Sequence, residues 1–225
     1  VTLLLYGIVR AGHPLPADLH AVVEDDLAVA VRDIGSAGPV AEDARSHLDV
    51  LCGLIGDGPV LPLRFGSTAP DEESVRNNAL RADPAALRAE LDRVTDRVEV
   101  RVQLVFDEAV ALAAAAATEP GLAQPVAGLD ATIERGRRIH DQIRAWVVRR
   151  SAEVLDRLAA EAVRLPEDEE GAQRWALLVR HDALDRIADS IDALPDVVTA
   201  SVLGPLPPFS FVSLPARPVS RWGFG

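Results

Sequence analysis

Apolar positions along this chain recur in two rhythms, and each rhythm marks out its own elements. Two-residue alternation and short continuous apolar runs, the mark of strands, occupy Thr2 to Val9 and Leu27 to Ile34, the latter with Leu27, Val29 and Val31 set against smaller or charged residues. The same period returns at Val60 to Phe65, and at Val98 to Phe106, where Val98, Val100, Val102 and Leu104 alternate with Glu99, Arg101 and Gln103. A helical period over Val40 to Ile55 carries Ala41, Ala44, His47, Leu48, Leu51 and Leu54, with Gly56 as its stop. Short helices are expected at Glu72 to Arg81 and at Pro84 to Arg93, the second with Asp83 as N-cap and Pro84 in its first position. The stretch between the first two strands, with Pro14 and Pro16, reads as loop. The order β-β-α-β-α-β predicts a compact α+β layer with its helices on one sheet face.

From Asp107 onward the pattern is helical. An alanine-rich helix leads to a Pro/Gly connection at Glu119 to Gly128, and a long helix is expected from Asp130 to Leu165. Ile133, Ile143, Val147, Val154 and Leu158 lie near one of its faces, and Arg137, Arg138, Arg144 and Arg149 on the opposite side. The acidic stretch Pro166 to Gly171 reads as a solvated loop; Arg174 to Arg180 follows as strand, Asp182 to Leu194 as helix and Val197 to Leu203 as strand. The predicted fold class is therefore α+β in two domains. Residues 1–106 form the first, 107–128 a helix and connection, and 129–225 a smaller unit built around the long helix.

Charge narrows the partners. The formal net charge is -12 and the pI about 4.8, a field that repels phosphate backbones and makes nucleic acid a poor partner. Cys52 is the single cysteine, so no internal disulfide forms, and a reducing cytosol fits best. Val1 to Val9 lacks a basic leader and a cleavage site. The longest uncharged apolar helical run, Ala109 to Thr118, is about half a bilayer span, so no transmembrane helix is expected.

The side chains capable of chemistry are scattered. His181 and Asp185 are four apart and share a helix face, but no second histidine lies near, and Asp182 reads first as an N-cap. An unrecognised hydrolase would have to use His181 and Asp185. His140 with Asp141 reads as a polar helix face. Ser46, His47 and Cys52 sit on one helix without the strand-turn-helix elbow of a nucleophile. Gly35 to Pro39 lacks the spacing of a phosphate loop. No catalytic set, metal site or cofactor is expected. Arg135, Arg137, Arg138, Arg144, Arg149 and Arg150 form a local basic stretch interleaved with Glu134, Asp141, Glu153 and Asp156; intrahelical ion pairs are the first reading, and a seat for an acidic partner centred on Arg138 and Arg144 the sharper one.

Two segments join a Gly-Pro pair to alternating apolar residues. In GPVLPLRFG, Gly58 to Gly66, Pro59 and Pro62 lack N–H donors, which predicts a sheet edge or bulge with Arg64 and Phe65 on opposite faces. In GPLPPFSFVSL, Gly204 to Leu214, three prolines predict an extended path after which Phe209 and Phe211 point the same way. It reads first as a strap whose two phenylalanines close the core of the C-terminal domain, and second as a partner surface. Arg64, Phe65, Arg138, Arg144, Phe209 and Phe211 are the candidate partner-binding residues.

Tyr6 to Val9, the Leu61 to Gly66 segment, the Val98 to Val102 strand and the terminal Gly-Pro-x-Pro-Pro-aromatic-Ser-Phe-Val element, in that order, resemble the gas vesicle protein F/L family over nearly the whole chain. Leu206 stands where that family usually has Trp, and Phe209 where it has Tyr. The resemblance implies an N-terminal ferredoxin-like domain and a C-terminal α+β domain. It also implies a non-enzymatic accessory protein of gas vesicle assembly, cytoplasmic and vesicle-associated, that binds the small hydrophobic shell protein and other accessory proteins by a β-edge or groove. The competing reading is a cytosolic small-molecule-binding or regulatory α+β module.

Overall fold

In the computed structural model, which describes residues 2–35, 43–118, 127–155, 161–166, 172–192 and 198–213, the chain groups into two units. Of the described residues, the first comprises those up to Glu99 together with Gly204 to Ser213, and the second those from Val100 to Leu203. The sequence placed the Gly204 to Ser213 segment with the C-terminal domain, and the structure places it with the first unit.

The first unit is built on strands β1 (Leu3–Arg10), β2 (His20–Glu24), β3 (Leu27–Asp33), β4 (Leu61–Pro62) and β5 (Thr68–Ala69). Their order is β2-β3-β1-β4, with β5 also paired to β1, and these pairings are antiparallel. β2 was hidden in the expected loop: it turns into β3 through Asp25 and Asp26, with Asp25 at φ 54, a conformation that aspartate tolerates in a two-residue hairpin turn. The expected strand at Val98 to Phe106 does not join this sheet, so the predicted single β-β-α-β-α-β layer is not its architecture.

Helices α1 (Asp43–Leu54), α2 (Glu72–Val75, continued by a π-helical turn Arg76–Leu80) and α3 (Pro84–Arg93) cover both faces of the sheet. Leu3, Leu5, Ile8, Val29 and Val31 pack with Val75, Leu80, Leu87 and Leu91. On the other face Leu4, Tyr6, Val9, Ala28 and Ala30 pack with Leu51, Leu54 and Val60 of the α1 side. The expectation of helices on one face fails for a reason visible in β1, LLLYGIVR. Its successive residues are apolar, so both of its faces must be covered. Its side-chain parity also switches midway: Ile8 sits with Leu3 and Leu5, and Val9 with Leu4 and Tyr6, because the register with β3 shifts between Leu5 and Gly7. Asp83 caps α3 by accepting from the Ala86 amide at 3.0 Å, with Pro84 in the first turn as expected.

The second unit has its own sheet of β6 (Arg97–Phe106), β7 (Glu161–Leu165), β8 (Gln173–Arg180) and β9 (Val198–Leu206), in the order β7-β8-β6-β9. Its helices are α4 (Glu108–Thr118), α5 (Leu129–Leu155) and α6 (Leu184–Asp192). Along the chain this is β-α-β-β-α-β with the first helix doubled, the succession of a ferredoxin-like unit. That succession therefore belongs to the second unit and not to the N-terminal one. Asp107 caps α4 through the Val110 amide at 3.0 Å. The long helix is shorter than its sequence pattern: Glu161 to Leu165, expected as its last turns, is strand β7, paired antiparallel to β8 from Glu161↔Leu178 to Leu165↔Arg174. A ladder with a distant strand outweighs a local helical period. Burial along α5 deepens toward its C-terminal end, from exposed Leu129 and Ile133 to buried Ser151 and Leu155, and Trp146 meets Phe106 edge-on at 5.7 Å between ring centres. Most of the Gly35 to Pro39 stretch, most of the Glu119 to Gly128 connection, Leu158 and most of the Pro166 to Gly171 loop lie outside the described residues, as does the side chain of Val154.

Candidate partner-binding surfaces

In the Gly58 to Gly66 segment, Leu61 and Pro62 form β4 at the end of the first sheet, where the missing proline N–H costs no ladder bond. Leu63 then donates its amide to the Tyr6 carbonyl at 2.8 Å, and its own carbonyl accepts from His47 Nε2 at 3.1 Å. Arg64 is exposed, and Phe65 is half-buried and edge-on to the His47 ring at 5.5 Å. His47 stacks on Tyr6 at 4.7 Å with the rings 16° apart, and the Arg32 guanidinium lies 5.3 Å from the centre of the Tyr6 ring. Since a carbonyl can only accept, His47 Nε2 is the donor in its bond to Leu63. Burial, reinforced by the nearby Arg32 charge, holds its pKa below the usual histidine value against the opposing pull of the Leu63 hydrogen bond. Arg64 thus projects from a segment fixed by an aromatic stack, while Phe65 is part of that stack.

The Gly204 to Ser213 segment takes a different course from the expected extended path. After Pro207 and Pro208 the chain turns, with the Phe211 and Val212 amides both donating to the Pro208 carbonyl at 3.1 Å. Alternation is lost there: Phe209 packs against the α1-side core and Val212 against the α3-side core. Two polar anchors hold the turn. Ser210 donates from its amide at 2.7 Å and its hydroxyl at 3.0 Å to the Glu99 carboxylate, and Arg93 donates to the Phe211 carbonyl at 2.7 Å. Glu99 is fully buried. Phe209 and Phe211 are both half-buried; of the two, Phe209 packs on a core, that of the first unit, and Val212 is the strap's other core contact.

On α5, Arg138 and Arg144 are exposed. Ion pairs of the expected intrahelical kind occur beside them, Arg137 with Glu134 at 3.6 Å and Arg150 with Glu153 at 2.6 Å. The second unit also exposes apolar side chains, among them Leu112 on α4, Leu129 and Ile133 on α5, and Val202 and Leu203 on β9.

The residues weighed for chemistry are not brought together. Arg180 binds the Asp182 carboxylate at 2.9 to 3.3 Å and holds its pKa below the usual range; Asp182 lies inside a 3-10 turn, His181–Ala183, ahead of α6 and not at its N-cap. His181, Asp185, His140 and Asp141 are all exposed. Ser46 is exposed on α1 while His47 is buried, and Cys52 is half-buried with its thiol pKa raised by burial. Among the described residues no group of three or more His, Cys, Asp or Glu side chains could hold a metal, and no helix is long and apolar enough to cross a membrane.

Two anchoring contacts are not legible in the sequence. Glu99 reads in the sequence as the polar side of a strand alternation, and its partner Ser210 lies 111 positions away, so no local signal reveals it. Tyr6 and His47 sit on separate predicted elements, and only the packing of α1 on β1 stacks them.

Comparison with known proteins gives a consistent result. The model of the family described as gas vesicle synthesis protein GvpL/GvpF matches residues 2–213. Gas vesicle protein F of Streptomyces sp. (strain CB03234) is 31% identical over 237 aligned residues, covering 92% of this chain and 98% of the relative. The crystal structure of GvpF from Microcystis aeruginosa superposes with a TM-score of 0.76 at 19% identity, over 95% of this chain and 100% of that one. GvpF from Anabaena sp. PCC7120 gives 0.79 at 19% identity, over 96% and 97%.

Proposed function

The chain belongs to the gas vesicle synthesis protein GvpL/GvpF family, and from that premise we propose that it is a non-enzymatic accessory protein that binds the small hydrophobic shell protein and other accessory proteins during gas vesicle assembly. The observation that carries the proposal is the end-to-end match with gas vesicle proteins in both sequence and fold. Two physical features support it. A net charge of -12 keeps a complex with an aggregation-prone client dispersed. The second unit also presents apolar side chains at the surface, Leu129 at 76% and Leu203 at 60% exposure, where a client can be sheltered.

The candidate contact residues are Arg64, Phe65, Arg138, Arg144, Phe209 and Phe211. Arg64, Arg138 and Arg144 are exposed and suited to direct contact. Phe65, Phe209 and Phe211 act through the surfaces they hold in place. Co-expression with tagged shell protein tests the proposal: the chain is expected to be retained on the affinity matrix. Failure to retain it, with either the shell protein or another vesicle protein as bait, would overturn the assignment.

A further inference from the structure

Resting on the reading that the protein binds the apolar shell subunit, we propose that the outer edge of β9 is the docking strand, and that it takes an extended, uncharged segment of that subunit as an added β-strand. The outermost strands of the two sheets are β2, β4 and β5, which both pair with β1, and β7 and β9; all but β9 are protected, β5 by being only two residues long. β2 carries His20 and Glu24, and Glu24 is held by Arg81 at 2.7 and 2.9 Å. β4 is two residues long and contains Pro62. β7 carries Glu161 and Arg164, and Arg164 reaches the Gln173 side chain at 2.7 Å. Charge, brevity and proline are the devices by which exposed edges avoid pairing with another chain.

β9 lacks them over most of its length. Its nine residues, VTASVLGPL, include no charged side chain in a protein that is 26% charged, and only Pro205 near its end blocks a backbone donor. Thr199 and Ser201 to Pro205 are exposed, Val202 at 45% and Leu203 at 60%. Among the described residues, no backbone group from Thr199 to Leu203 bonds outside its own sheet. A strand with one neighbour offers alternate N–H and C=O groups on its open side, and an extended segment satisfies them.

Charge decides between possible occupants. A second copy would bring another -12 toward an edge that supplies no compensating charge, so self-pairing is opposed. A charged side chain beside Val202 or Leu203 would lose water without gaining a partner. An uncharged segment of alternating small and apolar residues meets neither obstacle.

Hydrogen exchange of the full chain, read by mass spectrometry, tests this with two probes: the purified shell protein, and a synthetic peptide of about ten residues that alternates threonine and valine. Both are expected to slow exchange at Thr199 to Leu203 by about tenfold or more. A peptide N-methylated at alternate amides is expected to have no effect, and the Ser201→Lys/Leu203→Lys variant to lose the protection. The peptide arm uses the wild-type chain, so it stands even if that variant misfolds. Shell protein that binds without protecting Thr199 to Leu203 overturns the docking strand and leaves the assembly role intact. Shell protein that fails to bind, with the peptide still protecting this stretch, overturns that role and retains the edge as a strand acceptor. Absence of protection by both probes overturns the proposal.

Discussion

Gly7 shows how one residue can fix the packing of three elements. A Cβ there would lie 2.8 Å from Val60 Cγ1, 3.1 Å from the Leu61 carbonyl oxygen and 3.3 Å from Leu51 Cδ2. The backbone oxygen cannot rotate aside as a side chain could. Gly7→Ala is therefore expected to destabilise the first unit by about 1–3 kcal/mol through overpacking, read as a lower midpoint in denaturant; an unchanged midpoint would mean that α1 and β4 yield freely. His47, a short distance away in the same core, makes stability depend on pH. Its folded pKa is lowered, so the unfolded state binds the proton more readily. Stability is then full above the ordinary histidine value of about 6.5 and falls as pH drops below it, until the folded group itself titrates. His13, whose pKa burial also lowers, adds a slope of the same sign. His47→Gln keeps a donor for the Leu63 carbonyl without a titrating ring. The variant should lose less melting temperature than wild type between about pH 7.5 and about pH 5.5, and equal losses would exclude His47 as a contributor.

At the level of elements, the C-terminal strap earns its place by joining two polar anchors to two apolar contacts. Truncating half-buried Phe209 to Ala removes its contact with the α1-side core and should cost about 1–3 kcal/mol, below the range for a fully buried phenylalanine. Glu99→Ala leaves the half-buried Ser210 amide without its acceptor, for a further loss of about 1–3 kcal/mol. Because both residues hold the same turn, the double variant should lose less than the sum, which a double-mutant cycle in denaturant would detect; strict additivity would mean that the two anchors act independently. The strap also marks the limit of what the sequence could reveal. Its prolines and aromatics were visible, and so was the need for a core to receive Phe209. Which core received it was not, since Glu99 and Ser210 meet only in the folded chain. The same limit explains β7. Glu161 to Leu165 fits a helical period as well as a strand, and only its ladder with β8 decides. β1, β3, β6, β8 and most helices were legible because their periods are enforced by local burial. β2 was missed because His20 to Glu24 is largely exposed and its Asp25-Asp26 turn lacks the usual glycine. For the candidate surface, the sequence supplied exposed Arg64, Arg138 and Arg144, but not the contrast between guarded and unguarded edges, which needs the strand order.

For the whole molecule, the distribution of charge matters more than its total. Much of the charge in the first unit is spent internally. Asp26 accepts from both Arg10 and Arg88, and Arg81 spans Glu24 and Glu73; these bonds tie the β2–β3 turn to α2, its π-helical turn and α3. Hydrogen bonds from Arg81 and Arg88 lower the pKa values of Glu24 and Asp26, and the exposure of these pairs limits their contribution to stability. On α5, Arg138 and Arg144 are exposed at the surface of a strongly acidic chain. An acidic accessory protein would be repelled by the molecule as a whole, so α5 is where its approach is favoured. Arg138→Glu with Arg144→Glu should weaken binding of such a partner by about tenfold at low salt, mainly through slower association. The difference should shrink as ionic strength rises and the Debye length falls below about 10 Å. Surface plasmon resonance across a salt series separates the two outcomes. Unchanged association at low salt would leave the α5 arginines as helix-stabilising residues alone, and the acidic partner would have to be received elsewhere.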